Sequence, residues 1–457
     1  LIIVEKGRED EVKRIFDKWD LPWAQVGVVT DTGQMVVKHK GQVVADMPAA
    51  KLADEAPIYH REAREPEYLK DVRAFTLDGI PDLADTGDIE DALKQLLANP
   101  SIASKNWVYR QYDFQVRNGT CLIPGSDAAV IRVKKDSLPA SKNDDPDEAF
   151  EDKFLALTCD CNGAYTYLDP YVGAKIAVAE AARNLVCSGA LPIGSTDNLN
   201  FGNPHNPELF WQLKEAVRGL AEGCAAFNAP VTGGNVSLYN QNPEGAIDPT
   251  PTMAMVGLIE DEAHITSQWF KDEGDAIILL GEAVDTEDKL QGLGGSAYLQ
   301  TRHDTRNGSP PRCDLEEAKK LNTTLLGLIQ AGGVKSAHDC SEGGLLVALA
   351  ECCVSNNPTR NTPRLIGAAI DLSNLAKEPV RADALLFGET QHRVIVTCSD
   401  PEAGKIIERA HIMGVPAARI GTVGGENLEL KLGDRELSWS LADLHDIWWN
   451  AIARAMD

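Results

Sequence analysis

Two segments of the chain combine small, amide and acidic residues in a way that suits a phosphate-binding metal site. They are STDNLNFGNP at residues 195–204 and TGGNVSLY at residues 232–239. Gly233 and Gly234 lack a Cβ atom, so the backbone there can approach an anion closely and offer it N–H groups. The side-chain oxygens of Asp197 and Asn235 are hard ligands of the kind that Mg²⁺ takes. The segments therefore predict a polyphosphate and Mg²⁺ site, although the same residue types also dominate tight turns.

The elements around these segments should bring them together. Each segment follows a short apolar run, at 190–193 and at 229–231, which predicts a strand followed by a loop. Between them, Asn206 is a good N-cap and Pro207 suits the first position of a helix. The helix has apolar residues at spacings of three and four, namely Leu209, Leu213, Val217, Leu220, Cys224 and Phe227. We expect this stripe to lie against a sheet, so that one Mg-triphosphate can span Asp197 and Asn235 at a single edge.

Other residues that could do chemistry have simpler structural interpretations. Lys175 lies in an Ala-rich segment at 173–189 that predicts a helix, and we expect a solvated lysine there rather than a phosphate ligand. His338 and Asp339 precede a strand-to-helix turn at 341–344, where a histidine could transfer protons near neutral pH. Residues adjacent in sequence need not face one another, however, so the pair alone does not predict acid–base catalysis.

The remaining pattern alternates strand and helix signals and predicts an α/β fold. Apolar runs at 130–133 and 276–280 predict strands, and residues 134–153 predict an exposed, charged loop. Helices are expected at 88–97 and 345–354. A further helix should begin after Asp314, which with Glu317 forms the pattern of a capping box, and its apolar face should include Leu321, Leu325 and Leu328.

Composition limits the possible classes of protein. The chain has 457 residues, 43% hydrophobic and 25% charged, as expected for a folded protein of two or three domains. Its net charge of −25 argues against nonspecific binding to nucleic acid or to an anionic membrane. No apolar run reaches the roughly 20 residues that a membrane helix needs, so a cytoplasmic protein is expected. The ten cysteines form no pair of CxxC motifs, which favours buried or inert thiols over zinc ligands.

The two ends of the chain resemble each other. Residues 1–29 align without gaps onto residues 395–423, and Pro22 and Gly27 fall on Pro416 and Gly421. The shared order of strand, helix, proline and strand predicts a repeated unit, truncated in its first copy. We therefore predict four regions: 1–50 as the end of repeat one, 51–105 as a connector with short helices, 106–265 as the α/β domain that carries the polyphosphate and Mg²⁺ site, and 270–457 as a second α/β domain.

Several long strings between residues 107 and 266 resemble the second half of the phosphoribosylformylglycinamidine synthase family. They are YDFQVRNGT, TYLDPYVGAKIAVAEAARNLVCSGA, STDNLNFGNP, FWQLKEAV, TGGNVSLYN and PTPTMAMVGLIED, in that order. The resemblance implies a tandem repeat of two α/β domains that packs as an intramolecular pseudo-dimer. It also implies the reaction, in which ATP, formylglycinamide ribonucleotide and ammonia from glutamine yield the amidine, ADP and phosphate. The implied cofactors are ATP and Mg²⁺.

Position by position, the resemblance implies that Asp197 and Gly234 contact the nucleotide, that Asn235 binds Mg²⁺ and that Ser237 contacts the substrate. Residues that could support these contacts or serve only the turns are Asn198, Asn200 and Gly233. His338 and Asp339 belong to the second repeat, whose pocket is not the catalytic one in the family, so we expect a structural role for them. The triplet at 389–391, ETQ, resembles a substrate-binding triplet, and its second copy is likewise expected to be structural.

The resemblance also implies what this chain lacks. The catalytic histidine, the ATP lysine and several Mg²⁺ carboxylates of the family belong to the first half, so the chain alone should be inactive. The implied partners are that missing N-terminal half, the glutaminase subunit and a small accessory subunit. Two alternatives stay open at this point: a structural half that completes the fold and docks the glutaminase, or a related ATP-dependent kinase of the same superfamily.

Overall fold

A computed structural model of the chain describes residues 1–134, 152–359, 362–376 and 379–457. The chain divides into two compact units, Leu1–His60 and Arg61–Asp457. The loop predicted over 134–153 lies for the most part outside the described residues. In the part of the chain that is described, no helix has both the length and the apolar character needed to cross a lipid bilayer.

The Leu1–His60 unit contains two helices and one antiparallel hairpin. In chain order they are α1 (Glu9–Lys18), β1 (Gln34–His39), β2 (Gln42–Pro48) and α2 (Ala49–Leu52). Helix α1 confirms the helix that the internal repeat predicts. The strands expected at 1–4 and near 24–29 are absent from this fully described unit. Its one ladder joins β1 to β2, and an extended segment without a neighbour has no partner for its N–H and C=O groups.

Six strands of the Arg61–Asp457 unit form the sheet that carries the candidate site. They are β3 (Thr120–Leu122), β4 (Ala129–Val133), β5 (Lys153–Asp160), β6 (Leu191–Asn200), β7 (Val231–Ser237) and β10 (Thr250–Ile259). A separate small hairpin consists of β8 (Gln241–Asn242) and β9 (Gly245–Ala246). The order in the sheet is β3-β4-β5-β10-β6-β7, and only the pair β6 and β7 at one edge is parallel.

Two long helices cover one face of this sheet. The short α6 (Gly163–Leu168) leads into α7 (Pro170–Cys187), which packs on the sheet, and α8 (Pro207–Ala226) packs on α7. The predicted N-cap is confirmed, because the N–H of Glu208 donates to Asn206 Oδ1 at 2.9 Å.

The expectation that the whole apolar stripe of α8 faces the sheet is wrong. Helix α8 buries small residues against α7, and a Cβ atom on Gly223 would lie only 2.8 Å from Val178 Cβ. This close approach turns the helix so that Val217 is exposed. Of the predicted stripe, Leu220 and Cys224 are buried, and Cys224 Sγ reaches Ser195 Oγ of strand β6 at 3.6 Å.

The opposite face of the six-stranded sheet is open in the Arg61–Asp457 unit. Residues alternate between the two faces along each strand, and in β10 fully buried positions alternate with half-buried ones. Large apolar side chains on the open side remain exposed, among them Ile131, Leu157 and Leu191. The sheet therefore presents a partly apolar surface on the side away from α7.

A second sheet of seven strands forms the rest of the unit. Its strands are β11 (Ala276–Leu280), β12 (Ser336–Asp339), β13 (Ala368–Asp371), β14 (Val394–Cys398), β15 (Ala417–Val423), β16 (Asn427–Leu432) and β17 (Arg435–Ser440). They are ordered β12-β14-β11-β15-β13-β16-β17, and β13 and β16 are parallel while the other neighbours are antiparallel. The mixed sheets confirm the predicted α/β class.

Helices from both ends of the unit pack around this sheet. They are α4 (Thr86–Ala98), α5 (Asn106–Tyr109), α9 (Ala297–His303), α10 (Leu315–Gln330), α11 (Gly344–Val354), α12 (Ala382–Phe387), α13 (Ala403–Ile412) and α14 (Leu441–Met456). Helix α3 (Tyr68–Arg73) packs on α6 instead. Asp314 caps α10 as predicted, but Glu317 binds Arg312 instead of completing a capping box. Helix α4 places Ile89 and Leu93 in the main core. Seven of the ten cysteines are buried, as expected for small apolar residues.

Candidate functional site

The parallel pair of β6 and β7 brings the predicted site residues side by side. In its register Asp197 lies opposite Gly234, Asn198 opposite Asn235, and Asn200 opposite Ser237. The segments were expected to be loops, and that prediction is wrong: both are strands through Asn200 and Ser237. The backbone hydrogen bonds between β6 and β7 continue through these segments, because Gly, Asn and Ser residues that suit turns can also form a strand beside a neighbouring strand.

Asp197 and Gly234 occupy the face of the sheet that carries α7. Asp197 also lies opposite the buried Met253 of β10, which belongs to the covered face. A Cβ atom at position 234 would collide with the Asp197 carboxylate, so a residue without a side chain is required there. Partial burial raises the pKa of the Asp197 carboxyl. The Asp197 carboxylate thus lies beside the backbone of the edge strand β7 at a position without a side chain.

Asn235 and Ser237 occupy the open face together with Asn198 and Asn200. The Asn235 Nδ2 group donates to Asn198 Oδ1 and to Ser237 Oγ, each at 3.1 Å. Asn200 Nδ2 donates to Asn198 Oδ1 at 3.2 Å. We call these four residues the amide cluster. Since the amide nitrogen of Asn235 is used by its neighbours, its Oδ1 atom is left as the oxygen that could bind a cation.

The four predicted residues thus lie at one edge of the sheet, but as two groups on opposite faces. Consecutive residues of a strand point to opposite sides, so Asp197 cannot share a face with Asn198 or with Asn235 beside it. The two groups are neighbours across the edge strand β7, whose Gly233 and Gly234 carry no side chains. A ligand that touches both groups has to pass over that edge.

The types of side chain at this edge limit how a metal ion could bind. In the described ranges, no group of three or more His, Cys, Asp or Glu residues is arranged to hold a metal ion. A cation at β6 and β7 would therefore need amide oxygens and the oxygens of its own ligand, as Mg²⁺ bound to a polyphosphate has.

His338 and Asp339 form part of a buried polar network and do not lie at this edge. His338 Nδ1 lies 3.0 Å from an Asp127 oxygen, and its Nε2 lies 3.1 Å from Glu351. Burial disfavours the imidazolium, but these two carboxylates outweigh that effect and hold the pKa of His338 well above its usual value. Asp339 binds Arg183 in a bidentate pair that is almost fully buried. These contacts support the structural role that the sequence predicts.

A second buried carboxylate lies in the 389–391 triplet. Glu389 accepts hydrogen bonds from the N–H groups of Ala297 and Gly343 at 2.8 and 2.9 Å, and from the Tyr165 hydroxyl. Burial and the charge of Glu342 raise the pKa of Glu389 to about 7.

Lys175 lies in helix α7 and its amine donates to the Cys313 carbonyl at 3.3 Å.

Sequence reasoning passed over two residues near the site, Tyr239 and His205. Tyr239 is the last residue of the string TGGNVSLY, His205 follows the string STDNLNFGNP directly, and their rings are 6.3 Å apart. The sequence feature that could have identified them is an aromatic residue and a histidine within or next to segments rich in small and amide residues.

Comparisons with known proteins agree with this architecture. Residues 125–259 match the AIR synthase related protein N-terminal domain, and residues 272–433 match the corresponding C-terminal domain. The chain is 41% identical over its full length to phosphoribosylformylglycinamidine synthase subunit PurL of Thermoanaerobacter sp. (strain X514), and covers 58% of that protein. It is 42% identical over 99% of its length to the PurL subunit of Moorella thermoacetica, and covers 57% of it.

Solved structures show the same fold. The structure of T. maritima PurL complexed with FGAR matches with a TM-score of 0.53 at 20% identity, over 64% of this chain and 46% of that chain. T. maritima PurL complexed with ATP matches with a TM-score of 0.51 at 16% identity, over 84% of this chain and 53% of that chain. The chain spans 57 to 58% of the length of the two curated relatives.

Proposed function

The chain belongs to the family of phosphoribosylformylglycinamidine synthase subunit PurL, and we propose that it forms the C-terminal half of an ATP-dependent carbon–nitrogen ligase. The enzyme would convert formylglycinamide ribonucleotide to its amidine. The γ-phosphoryl group of ATP is transferred to the amide oxygen, and ammonia then displaces phosphate from that carbon. The observation that carries the proposal is the register of β6 and β7, which places Asp197, Asn235 and Ser237 at one edge of the sheet.

We propose for each residue the role that the family resemblance implies, and the two faces of the sheet divide these roles between them. Asp197 and the bare backbone at Gly234 contact the nucleotide on the face that carries α7. Asn235 Oδ1 helps to hold Mg²⁺, and Ser237 contacts the ribonucleotide on the open face. Gly233 has no side chain and has open space beside its backbone, so a phosphate chain could pass over β7 there. Phosphoryl transfer depends mainly on positioning and on neutralising charge, so the chain needs no covalent nucleophile for this part.

The open face of the six-stranded sheet supports the proposed pseudo-dimer. Ile131, Leu157, Leu191 and Ile193 are 37 to 54% exposed there, and contiguous exposed apolar surface usually marks an interface. We propose that the equivalent domain of the first repeat covers this face. The remaining proposed partners are the glutaminase subunit and the small accessory subunit, and we place the assembly in the cytoplasm. The net charge of −25 argues against nucleic acid as a partner.

The test is reconstitution with a separately produced N-terminal half, measuring amidine formation from ATP, ammonia and the ribonucleotide. The chain alone should form no amidine, and the combined halves should. Asn235→Ala should lower turnover by about 30- to 1,000-fold, the effect of losing about 2–4 kcal/mol of charge stabilisation. Asn235→Asp should retain more activity because it keeps an oxygen ligand.

Asn450→Ala, at a half-buried amide of α14 that donates to Asp446 Oδ1, is the matched control and should behave as the wild type in turnover. Full activity of the chain alone would contradict the proposal. Unchanged turnover of Asn235→Ala in an intact assembly would instead favour the structural alternative, in which this half completes the fold and docks the glutaminase.

A further inference from the structure

The amide cluster contains a series of hydrogen bonds that starts at a backbone oxygen. Asn200 Nδ2 donates to the Asn198 carbonyl at 3.1 Å and to Asn198 Oδ1 at 3.2 Å. Asn235 Nδ2 donates to the same Asn198 Oδ1 atom and to Ser237 Oγ, each at 3.1 Å. Asn198 Oδ1 is therefore the shared acceptor for the amides on either side of it.

The orientation of an asparagine amide is decided by its hydrogen-bond partners. The side-chain torsion that exchanges the amide oxygen and nitrogen is broad and roughly two-fold, so neither orientation is strongly preferred by itself. The two orientations differ in chemistry, because the oxygen accepts hydrogen bonds or binds a cation, whereas the NH₂ group only donates. A reversed amide at Asn235 would present protons to a metal ion. A residue that prevents this reversal would support metal binding without contacting the metal.

The Asn198 carbonyl prevents the reversal, because a backbone oxygen only accepts. The group of Asn200 that faces this carbonyl has to be its NH₂ group. The same NH₂ group faces the side chain of Asn198, which therefore has to present its oxygen. That oxygen in turn selects the NH₂ group of Asn235 and leaves Asn235 Oδ1 outside these contacts. One backbone carbonyl thus sets the direction of all three amides.

Strand pairing holds the three amides at a fixed spacing. Asn198 lies opposite Asn235 in the parallel ladder and opposite Thr252 of β10 on its other side. Asn198 and Asn200 are two residues apart on β6, so their side chains project from the same face. The direction of each amide is then the freedom that remains, and the hydrogen bonds decide it. The Ser237 oxygen accepts from Asn235, which leaves the Ser237 hydroxyl proton for another acceptor.

We infer that Asn198 and Asn200 are positioning residues, which hold the Asn235 amide in the orientation that turns its oxygen to Mg²⁺. Neither residue needs to contact the metal, the nucleotide or the substrate in this role. The inference rests on the proposed function, since it deepens the metal contact assigned to Asn235. Loss of a group that orients a metal ligand typically weakens metal binding by about 10- to 100-fold.

The experiment measures Mn²⁺ binding to the reconstituted enzyme with a non-hydrolysable ATP analogue, using the electron paramagnetic resonance signal of free Mn²⁺. Mn²⁺ prefers the same oxygen ligands as Mg²⁺. Asn198→Ala should raise the dissociation constant of Mn²⁺ by about 10-fold, because no acceptor then selects the NH₂ group of Asn235. Asn198→Asp keeps an acceptor oxygen for both neighbouring amides and should stay within about threefold of the wild type.

A matched substitution at Asn200 separates amide orientation from charge. Asn200→Asp adds the same negative charge to the same face of β6 as Asn198→Asp does. It also places carboxylate oxygens against two acceptors of Asn198, the carbonyl and Oδ1, so the order of the hydrogen bonds is lost. Asn200→Asp should therefore weaken Mn²⁺ binding by about 10-fold, unlike Asn198→Asp. Equal dissociation constants for the two aspartate variants would show that charge alone matters and would overturn the inference.

Turnover and stability give further readouts. At saturating Mg²⁺, turnover of Asn198→Ala should return to within about threefold of the wild type because the metal ligand is still present, whereas turnover of Asn235→Ala should stay low. Asn450→Ala again serves as the control and should leave the dissociation constant of Mn²⁺ unchanged. A lower thermal midpoint of Asn198→Ala together with unchanged Mn²⁺ binding would show that Asn198 supports only the fold.

The failure of this inference differs from failure of the proposed function. If the proposed function is wrong, the reconstituted wild type forms no amidine. If Asn235 is not a metal ligand, Asn235→Ala leaves Mn²⁺ binding unchanged in an active enzyme, and the inference is overturned with that assignment. If only the inference is wrong, the wild type is active and Asn235→Ala weakens Mn²⁺ binding, but Asn198→Ala does not.

Discussion

Removing the buried partner of Asp339 should destabilise the protein strongly. The Arg183 and Asp339 side chains are each 1% exposed, and Arg183 Nη2 donates to Asp339 Oδ2 at 2.9 Å. Burial opposes the charge of Arg183, but contact with Asp339 outweighs burial and raises the pKa of the guanidinium. Arg183→Met leaves a carboxylate without its partner in the interior. Breaking one side of a buried pair costs about 3–5 kcal/mol of unfolding free energy.

The pair joins two modules, which sharpens the test. Arg183 belongs to helix α7, within the region that matches the N-terminal AIR synthase model, and Asp339 belongs to β12 in the region that matches the C-terminal one. Denaturant unfolding followed by circular dichroism measures the loss. The double variant Arg183→Met with Asp339→Leu should recover most of it, because an apolar pair leaves no buried charge.

The loss should also depend on pH. Without Arg183, burial raises the pKa of Asp339 further above its unfolded value, so the folded state holds a proton that the unfolded chain releases. Stability of Arg183→Met should therefore fall more steeply than that of the wild type as pH rises from 5 to 8. Arg454→Met removes an exposed pair with Asp446, whose side chains are 55% and 54% exposed, and should cost less than about 1 kcal/mol. A cost below about 1 kcal/mol for Arg183→Met, or no recovery in the double variant, would refute this reasoning.

Three further outcomes are expected. Gly223→Ala should lower the thermal midpoint by the equivalent of about 1–3 kcal/mol, because its new methyl group would lie 2.8 Å from Val178 Cβ; an unchanged midpoint would contradict the packing of α7 on α8. Cys224→Ser should cost about 1 kcal/mol of stability by placing a hydroxyl at a buried position, and turnover in the reconstituted enzyme should be preserved; a large loss of turnover would show that α8 positions the site. Burial raises the pKa of Asp160 to about 7, so between its unfolded pKa and 7 the folded state binds more protons and stability falls with rising pH. Asp160→Asn should flatten that fall between pH 5 and 8 when the thermal midpoint is followed, and an unchanged slope would rule Asp160 out as its source.

The family and the local elements were predictable from the sequence because they depend on local signals. Asn206 with Pro207 marks the start of α8, and the N–H of Glu208 confirms that cap at 2.9 Å. The strand at 276–280 and the helix after Asp314 follow from short-range patterns of the same type. The long strings around Asp197 and Asn235 identify the family, which the curated relatives confirm. The roles assigned to the four site residues stay predictions.

Which face each site residue occupies could be decided only by the tertiary structure. Glycine, asparagine and serine look like turn residues in isolation, and the partner strand that keeps them extended lies more than thirty residues away in sequence. Once β6 pairs with β7, the alternation of side chains separates Asp197 from Asn235. The contact between α7 and α8 likewise depends on two small-residue surfaces meeting, as at Gly223 and Val178. Sequence therefore determined the capped helices, the buried strands and the residue types at the site, while long-range pairing decided that the site segments are strands and which groups can act on the same ligand.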